Sequence, residues 1–279
     1  MNSVTAEVVA AFVDERDGGN LAGVVLDRGD LNEAQMQFVA AQLGYSETAF
    51  AAPDASGWRV RYFSPESEVP FCGHATLALG AALALAHGDG VFALQLNDAA
   101  ITVEGRRDGT RLAAALQSPP TRSRPADPRL VREALALLGY TADDLDPRIP
   151  PALAHGGADH LVLALRTRAL LAAMAYDLAA GRTLMRQAGL VTFHLAYAET
   201  PTLFHTRDPF ASGGVYEDPA TGAATAAFAG YLRDLQWPHG GAIELIQGED
   251  MGMRSRLRAE IPPTPGQSIR VSGTARILA

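Results

Sequence analysis

Three positions in the chain pair an ionisable side chain with a stretch of backbone that can tune it. Glu47 stands between Ser46 and Thr48, just after an amphipathic segment and at the start of an apolar one. A carboxyl in that place is partly desolvated, which raises its pKa and suits it to pass a proton near neutral pH. A capping or strand-edge glutamate in water fits the same residues, and one sequence does not choose between the two. His74 follows Gly73 at the start of a small-residue, apolar stretch. The positive end of a helix disfavours an imidazolium, so a neutral ring able to orient a carboxylate or carbonyl is expected there. Asp218 lies in a loop of the same form, where N-capping through the amides near Thr221 is the plainer reading.

The two loops are related. Residues 68–78 read Glu-Val-Pro-Phe-Cys-Gly-His-Ala-Thr-Leu-Ala, and residues 217–227 read Glu-Asp-Pro-Ala-Thr-Gly-Ala-Ala-Thr-Ala-Ala. Glu, Pro, Gly and Thr recur in the same order (Glu68/Glu217, Pro70/Pro219, Gly73/Gly222, Thr76/Thr225). Each copy runs into an apolar stretch that should be helical, Leu77–Ala86 and Ala226–Leu235. Taken singly, each reads as an ordinary helix start. As a pair they suggest duplication, with two helix N-termini whose unpaired amides and positive dipole ends can hold a carboxylate or a developing enolate.

The elements that must position these groups alternate without a βαβ rhythm. Strands are expected at Val8–Val13, Gly23–Leu26, Thr48–Ala52 and Trp58–Phe63, with a helix at Asn32–Leu43 capped by Asn32 and Gln35. An antiparallel meander follows over Val91–Leu96, Ile101–Glu104 and Arg111–Leu116. Ser118–Pro128, with four prolines, is the linker candidate. Beyond it come helix Arg129–Leu138, strand Leu161–Leu165, helix Leu178–Ala188 and strand Val191–Ala196. Strands close the chain at Ala242–Leu245, Ser255–Ile261 and Ser268–Leu278. The pattern predicts an α+β fold of two similar halves, each a curved, mostly antiparallel sheet or barrel around one apolar helix. The halves are expected at residues 1–118 and 129–279, with 119–128 between them, the last strands able to pack on the first half, and the site between the halves.

Composition narrows the chemistry. All 23 basic residues are arginine, so Schiff-base lysine chemistry, pyridoxal phosphate attachment and a Walker-type phosphate lysine are excluded. No dinucleotide fingerprint is present. The net charge of −8 argues against a nucleic-acid surface. The single cysteine rules out an internal disulfide and suits a reducing cytosol. Met1–Asn20 lacks the flank and apolar run of a signal peptide, and no apolar run is of membrane-spanning length. His155 and His160 fit no standard zinc spacing and read as a loop with a substrate contact. Arg207 is expected to pair with a substrate carboxylate or with Asp208. Glu249 and Asp250 read as a solvated turn.

Across nearly its whole length the chain resembles the phenazine-biosynthesis F-like (PhzF-like) proteins, which share the diaminopimelate epimerase fold. The matching segments are Gly19-Asn20, Ser46-Glu47-Thr48-Ala49-Phe50, Phe71-Cys72-Gly73-His74-Ala75-Thr76, Glu217-Asp218-Pro219-Ala220-Thr221-Gly222, and Gln247-Gly248 with Met251-Gly252 and Arg254-Ser255. The resemblance implies a cofactor- and metal-independent isomerase acting on a small carboxylate-bearing metabolite, with Glu47 as proton carrier and His74 and Asp218 as the other two catalytic positions. It also implies a substrate-binding set of Asn20, Ser46, Cys72, Gly73, Ala75, Thr221, Gly222 and Ala223. Relatives commonly form homodimers, and a cytoplasmic homodimer with no nucleic-acid or membrane partner is the matching expectation. In the epimerase relatives two cysteines act as acid and base, whereas here Cys72 is matched by Thr221, whose hydroxyl is too weak for that work. A two-thiol racemase is thus disfavoured, and Cys72 reads as a small buried hydrophobe. Racemisation at one carbon by other groups, or ligand binding without catalysis, remain the alternatives. Two departures from the family pattern stand out: Leu21 replaces a proline, and Ala223 replaces a serine, which removes a hydroxyl but keeps the backbone amides.

Overall fold

Segments 73–87 and 222–232 are made almost wholly of alanine, glycine, leucine, threonine and aromatic residues. A helix built from them has no polar face and must be enclosed on every side. The computed structural model describes residues 5–278 apart from 16, 28 and 110, so the expectation for Met1–Asn20 falls partly outside the described residues. In chain order come β1 (Glu7–Ala11), β2 (Asn20–Leu26), α1 (Glu33–Leu43), β3 (Glu47–Asp54), β4 (Gly57–Phe63) and β5 (Glu68–Val69). Next are α2 (Gly73–His87), β6 (Gly90–Gln95), β7 (Ala100–Asp108), β8 (Arg111–Gln117), β9 (Arg122–Pro125) and α3 (Pro128–Leu138). Then follow β10 (Ala152–His155), β11 (Asp159–Ala164), α4 (Arg168–Ala172), α5 (Leu178–Gln187), β12 (Thr192–Ala198), β13 (Leu203–Phe210) and β14 (Val215–Asp218). The last are α6 (Gly222–Asp234), β15 (Ala242–Gln247), β16 (Ser255–Glu260) and β17 (Arg270–Leu278). The fold is α+β, with sheets at its core and helices packed on them. Among the described residues no helix is long and apolar enough to cross a membrane.

The chain divides into two compact units, Met1–Gln117 with Ser272–Ala279, and Ser118–Val271. In the first, strands pair in the cycle β1–β2–β3–β4–β6–β7–β8–β17 and back to β1. The β2–β3 and β4–β6 pairs are parallel. This closed barrel holds α2, whose residues Gly73–Ala84 are all buried. Two glycines set the helix against the wall. A Cβ on Gly105 of β7 would lie 2.0 Å from the Gly80 carbonyl oxygen, and one on Gly80 would lie 2.4 Å from Val103 Cγ2. Outside the barrel, α1 starts on the expected Asn32/Gln35 capping box and stops at Gly44, in the left-handed region at φ 70°. Three residues later the chain enters β3 at Glu47, with Phe50 and Phe63 packed edge-to-face under α1.

The second unit is a sheet in the order β9–β10–β11–β12–β13–β15–β16, with β14 also paired to β13. Its two faces alternate along each strand as the pleat requires. Leu161, Leu163, Phe193 and Leu195 face a cluster with Leu135 and Leu138 of α3 and Met185 of α5. The alternate residues face α6, in which Gly222–Arg233 are all buried, and Phe228 packs on both His194 and Phe204. A Cβ on Gly156 would lie 2.6 Å from the Ala227 nitrogen, so α6 also approaches its sheet at backbone distance.

The proline-rich segment 118–128 is not a linker. Ser118 exchanges hydrogen bonds with Ile269, Arg122–Pro125 pairs with β10, and Pro128 occupies the first turn of α3. Proline fits an edge strand and a first helical turn because neither place needs its missing N–H.

The Gly80–Gly105 contact leaves no space for a methyl group. Gly105→Ala is expected to cost about 1–3 kcal/mol through forced separation of helix and strand. Urea unfolding measures this, and an unchanged midpoint would contradict the packing described.

Candidate active site

The end of α1, the start of β3 and the first turn of α2 deliver four side chains to one place. Glu47 opens β3, lies in register with Ala22 of β2, and is 5% exposed. Its Oε2 is 3.5 Å from His74 Nε2, and Ser46 Oγ is 3.3 Å from the same nitrogen. Cys72 Sγ lies 3.2 Å from His74 Nδ1. The Glu47 carboxylate also accepts hydrogen bonds from the Ser46 hydroxyl and the Cys72 thiol. Burial raises the Glu47 pKa above its ordinary value, against these two hydrogen bonds, which lower it. Burial also lowers the His74 pKa to about 3, so its ring is neutral at physiological pH. A neutral imidazole and a carboxyl inclined to hold a proton make an acid–base pair without a fixed charge.

The junction is held from behind. Tyr62 OH is 2.6 Å from Thr76 Oγ1, and Thr76 Oγ1 donates to the Cys72 carbonyl at 2.6 Å. Asn20 is buried at the start of β2, two residues before the register partner of Glu47 and so on the same sheet face. Gly73 and Ala75 are in the first turn of α2, whose N-cap residue Cys72 makes no side-chain cap bond.

In the second unit, Thr221 Oγ1 donates to Asp218 Oδ2 at 2.6 Å, and both side chains are buried. Thr221, not Asp218, is the N-cap residue of α6, and its own side chain makes no cap bond. Gly222 and Ala223 form the first turn of the helix. Gln247 ties the loop together, accepting from the Thr221 amide at 3.1 Å and donating to the Asp218 carbonyl at 2.7 Å. The sequence marked Gln247 only as part of a matching segment. Tyr62 and Gln247 were not legible as site-builders, because their partners are distant in the chain.

Four readings are corrected. Arg207 pairs with Glu217, at 2.9 and 2.5 Å, and with the Ala172 carbonyl at 2.9 Å, not with Asp208. Adjacent residues on a strand point to opposite faces, so Arg207 and Asp208 cannot meet. His160 is not a loop residue but a fully buried one in β11; its Nδ1 donates to Thr192 Oγ1 at 2.8 Å, which in turn donates to Asp208 Oδ1 at 3.3 Å. His194 Nδ1 donates to the same Asp208 oxygen at 2.9 Å. Cys72 is buried but polar in its contacts, touching both His74 and Glu47. Glu249 and Asp250 do form a turn, with Asp250 exposed, but ion pairs tie it down: Arg168 pairs with both, and Arg254 with Glu249.

A closed barrel around a buried helix, with a protonatable carboxyl beside a neutral histidine, marks an isomerase-like α+β protein. The chain matches the family described as "Phenazine biosynthesis-like protein" over residues 9–279 and belongs to this PhzF family. An uncharacterized isomerase of Deinococcus radiodurans is 35% identical, over 96% of this chain and 91% of that protein. The trans-2,3-dihydro-3-hydroxyanthranilate isomerase of Pseudomonas aeruginosa is 32% identical, over 98% and 96%. A Bacillus anthracis phenazine biosynthesis protein of the PhzF family shares the fold, with a TM-score of 0.86 and 20% identity over 100% of this chain and 98% of that one. Family and fold support isomerase activity on a small metabolite.

Burial of neutral histidines has a pH signature. His160 is lowered from 6.5 to about 3 by burial and by the neighbouring His194 and His155, and His74 shifts the same way. Below 6.5 the unfolded chain takes up protons that the folded chain refuses, so this contribution is present above 6.5 and is lost as pH falls toward 3. Glu47 has the opposite sign: its folded pKa is raised, so it adds stability as pH falls through that raised value and has given all of it by 4.5, opposing the histidines. With Glu47 replaced by glutamine, so that the histidines act alone, the urea midpoint should drop from about pH 7 to about pH 5. His160→Gln should flatten the slope, and an identical slope in that variant would contradict it.

Proposed function

We propose that the chain is a cofactor-independent isomerase that moves a proton between carbons of a small carboxylate-bearing metabolite. The observation that carries this is the Glu47 carboxyl, buried and 3.5 Å from the neutral His74 ring. In this reading Glu47 removes a proton from carbon as a carboxylate and returns it to another carbon on the same face as an acid. His74 orients the substrate through a neutral ring nitrogen, so it opposes the charge developing on substrate oxygen without quenching Glu47. Amides at Gly73 and Ala75, left without a side-chain cap, suit a carboxylate, as do those at Gly222 and Ala223. Asp218 is proposed to orient substrate from its Thr221-bonded position, and Asn20, Ser46, Cys72 and Thr221 to complete the binding set. A homodimer in the cytosol is part of the same proposal.

Racemisation at one carbon is the second reading, and it needs a second acid or base opposite Glu47. The loop matching that of Cys72 offers Thr221 instead, engaged with Asp218, which favours the single-carboxyl route. The compound named for the P. aeruginosa relative, trans-2,3-dihydro-3-hydroxyanthranilate, is the first probe of a small-carboxylate panel. Incubation in heavy water followed by proton NMR should show a carbon-bound hydrogen relocated in one member of the panel. Glu47→Gln should cut that turnover by about a hundredfold or more and leave ligand binding in place. Turnover at the wild-type rate in Glu47→Gln contradicts the role of Glu47. Tight binding with no exchange at carbon would instead mark a binding protein.

A further inference from the structure

The strand that carries Asp218 is weakly paired. The four residues of β14 meet β13 at three positions, Asp218 opposite Asp208, Glu217 opposite Pro209 and Val215 opposite Phe210. The register shifts between the last two, a bulge that leaves Tyr216 without a partner in the ladder. Pro209 brings no N–H to that ladder. A ribbon so short and so interrupted holds a side chain loosely, whereas substrate-orienting groups must be held to about 0.5 Å.

Side chains on the other face supply what the ladder lacks. Glu217 lies diagonally across from Arg207, on the face turned away from Asp208 and Asp218. Arg207 Nε and Nη2 donate to the two Glu217 oxygens at 2.9 and 2.5 Å, a bidentate pair. Arg207 Nη1 donates to the Ala172 carbonyl at 2.9 Å and to those of Leu171 and Met174 at 3.4 Å, at the end of α4. Both members of the pair are buried. Beside them Tyr216 stacks on Tyr176, with 4.5 Å between ring centres, and its hydroxyl accepts from the Tyr176 amide at 3.0 Å.

We propose that Arg207 is a positioning residue: through Glu217 it fixes β14 from behind and so aims the Asp218 carboxyl on the opposite face. Stability alone is a poor reason for such a pair. Desolvation of two buried charges offsets their attraction, and an apolar pair of similar size often serves as well. What the pair adds is direction, because a planar fork meets a carboxylate in one geometry. That geometry is set one residue away from Asp218, and a misplacement of about 1 Å at a reacting site costs on the order of a hundredfold in rate. The aim at a substrate rests on the proposed function, whereas the fixing of β14 does not.

The test replaces the charged pair by an apolar one, Arg207→Met with Glu217→Leu, so that no charge is left buried alone. Amide hydrogen exchange read by NMR should show protection at Glu217, Asp218 and Thr221 falling by at least about tenfold, with Phe193 and Leu195 of β12 unchanged. In the relocation assay kcat should fall by at least about tenfold, with KM within about threefold of wild type. Arg207→Lys keeps the charge without the fork and should lose both properties as well. Glu217→Gln is nearly isosteric, should lower the same protection by at least about threefold, and carries the test if the double variant does not fold. Unchanged protection at Asp218 and Thr221 overturns the inference. So does an equal fall in β12, which would mark a plain contribution to stability. Local loss of protection with wild-type kcat overturns the aiming of Asp218. If the wild-type chain relocates no hydrogen, the isomerase reading falls, and exchange alone decides whether Arg207 fixes β14.

Discussion

In the first unit the carbonyl of Gly80 and the α-carbon of Gly105 sit so close that no side chain fits between them. That contact fixes the depth of an all-apolar helix inside its barrel. Depth matters because the working groups are at the helix start. Seven residues before Gly80, the chain turns at Cys72 and Gly73 into the first turn of α2, whose N-cap residue makes no side-chain cap bond. His74 then projects beside Glu47, which the parallel β2–β3 ladder holds in register with Ala22. A helix standing off by the width of a methyl group would carry His74 out of that register. Tyr62 and Thr76 lock the same turn from the sheet side through the Cys72 carbonyl.

Electrostatics follow from that depth. A carboxyl shut away from water beside a cationic group would simply be ionised, and the site would hold a salt bridge. Here its nearest ring is held neutral by the same burial, so desolvation of Glu47 is opposed only by the hydroxyl of Ser46 and the thiol of Cys72. The absence of lysine from the chain is consistent with this arrangement. The second unit handles its buried charge differently. Arg207 and Glu217 neutralise one another on one face of β13, while Asp208 takes its hydrogen bonds from His194 and Thr192 on the other.

Much of this was legible in the residues. The Asn32–Gln35 box marked the start of α1, the paired Pro-Gly-Thr segments marked the starts of α2 and α6, and the lack of a polar face marked both helices as enclosed. What the sequence hid was polar and buried. β13 alternates His205, Arg207 and Phe204, Thr206, Asp208, so both faces read as solvent-facing although most of the strand is buried. β9 and β10 are short, flanked by proline or glycine, and gain their identity from pairing, β9 with β10 and β10 also with β11. Local pattern cannot report a partner that lies tens of residues away, which is also why Gln247 and Tyr62 escaped notice.

The account turns on the state of one carboxyl. The most direct measurement is a carbon-13 NMR titration of the glutamate side-chain carboxyls, with Glu47 assigned by the signal lost in Glu47→Gln. The account predicts a Glu47 transition above the ordinary glutamate value of 4.5. A transition at or below that value would show an ordinary ionised carboxylate, and would contradict the picture of a buried proton carrier.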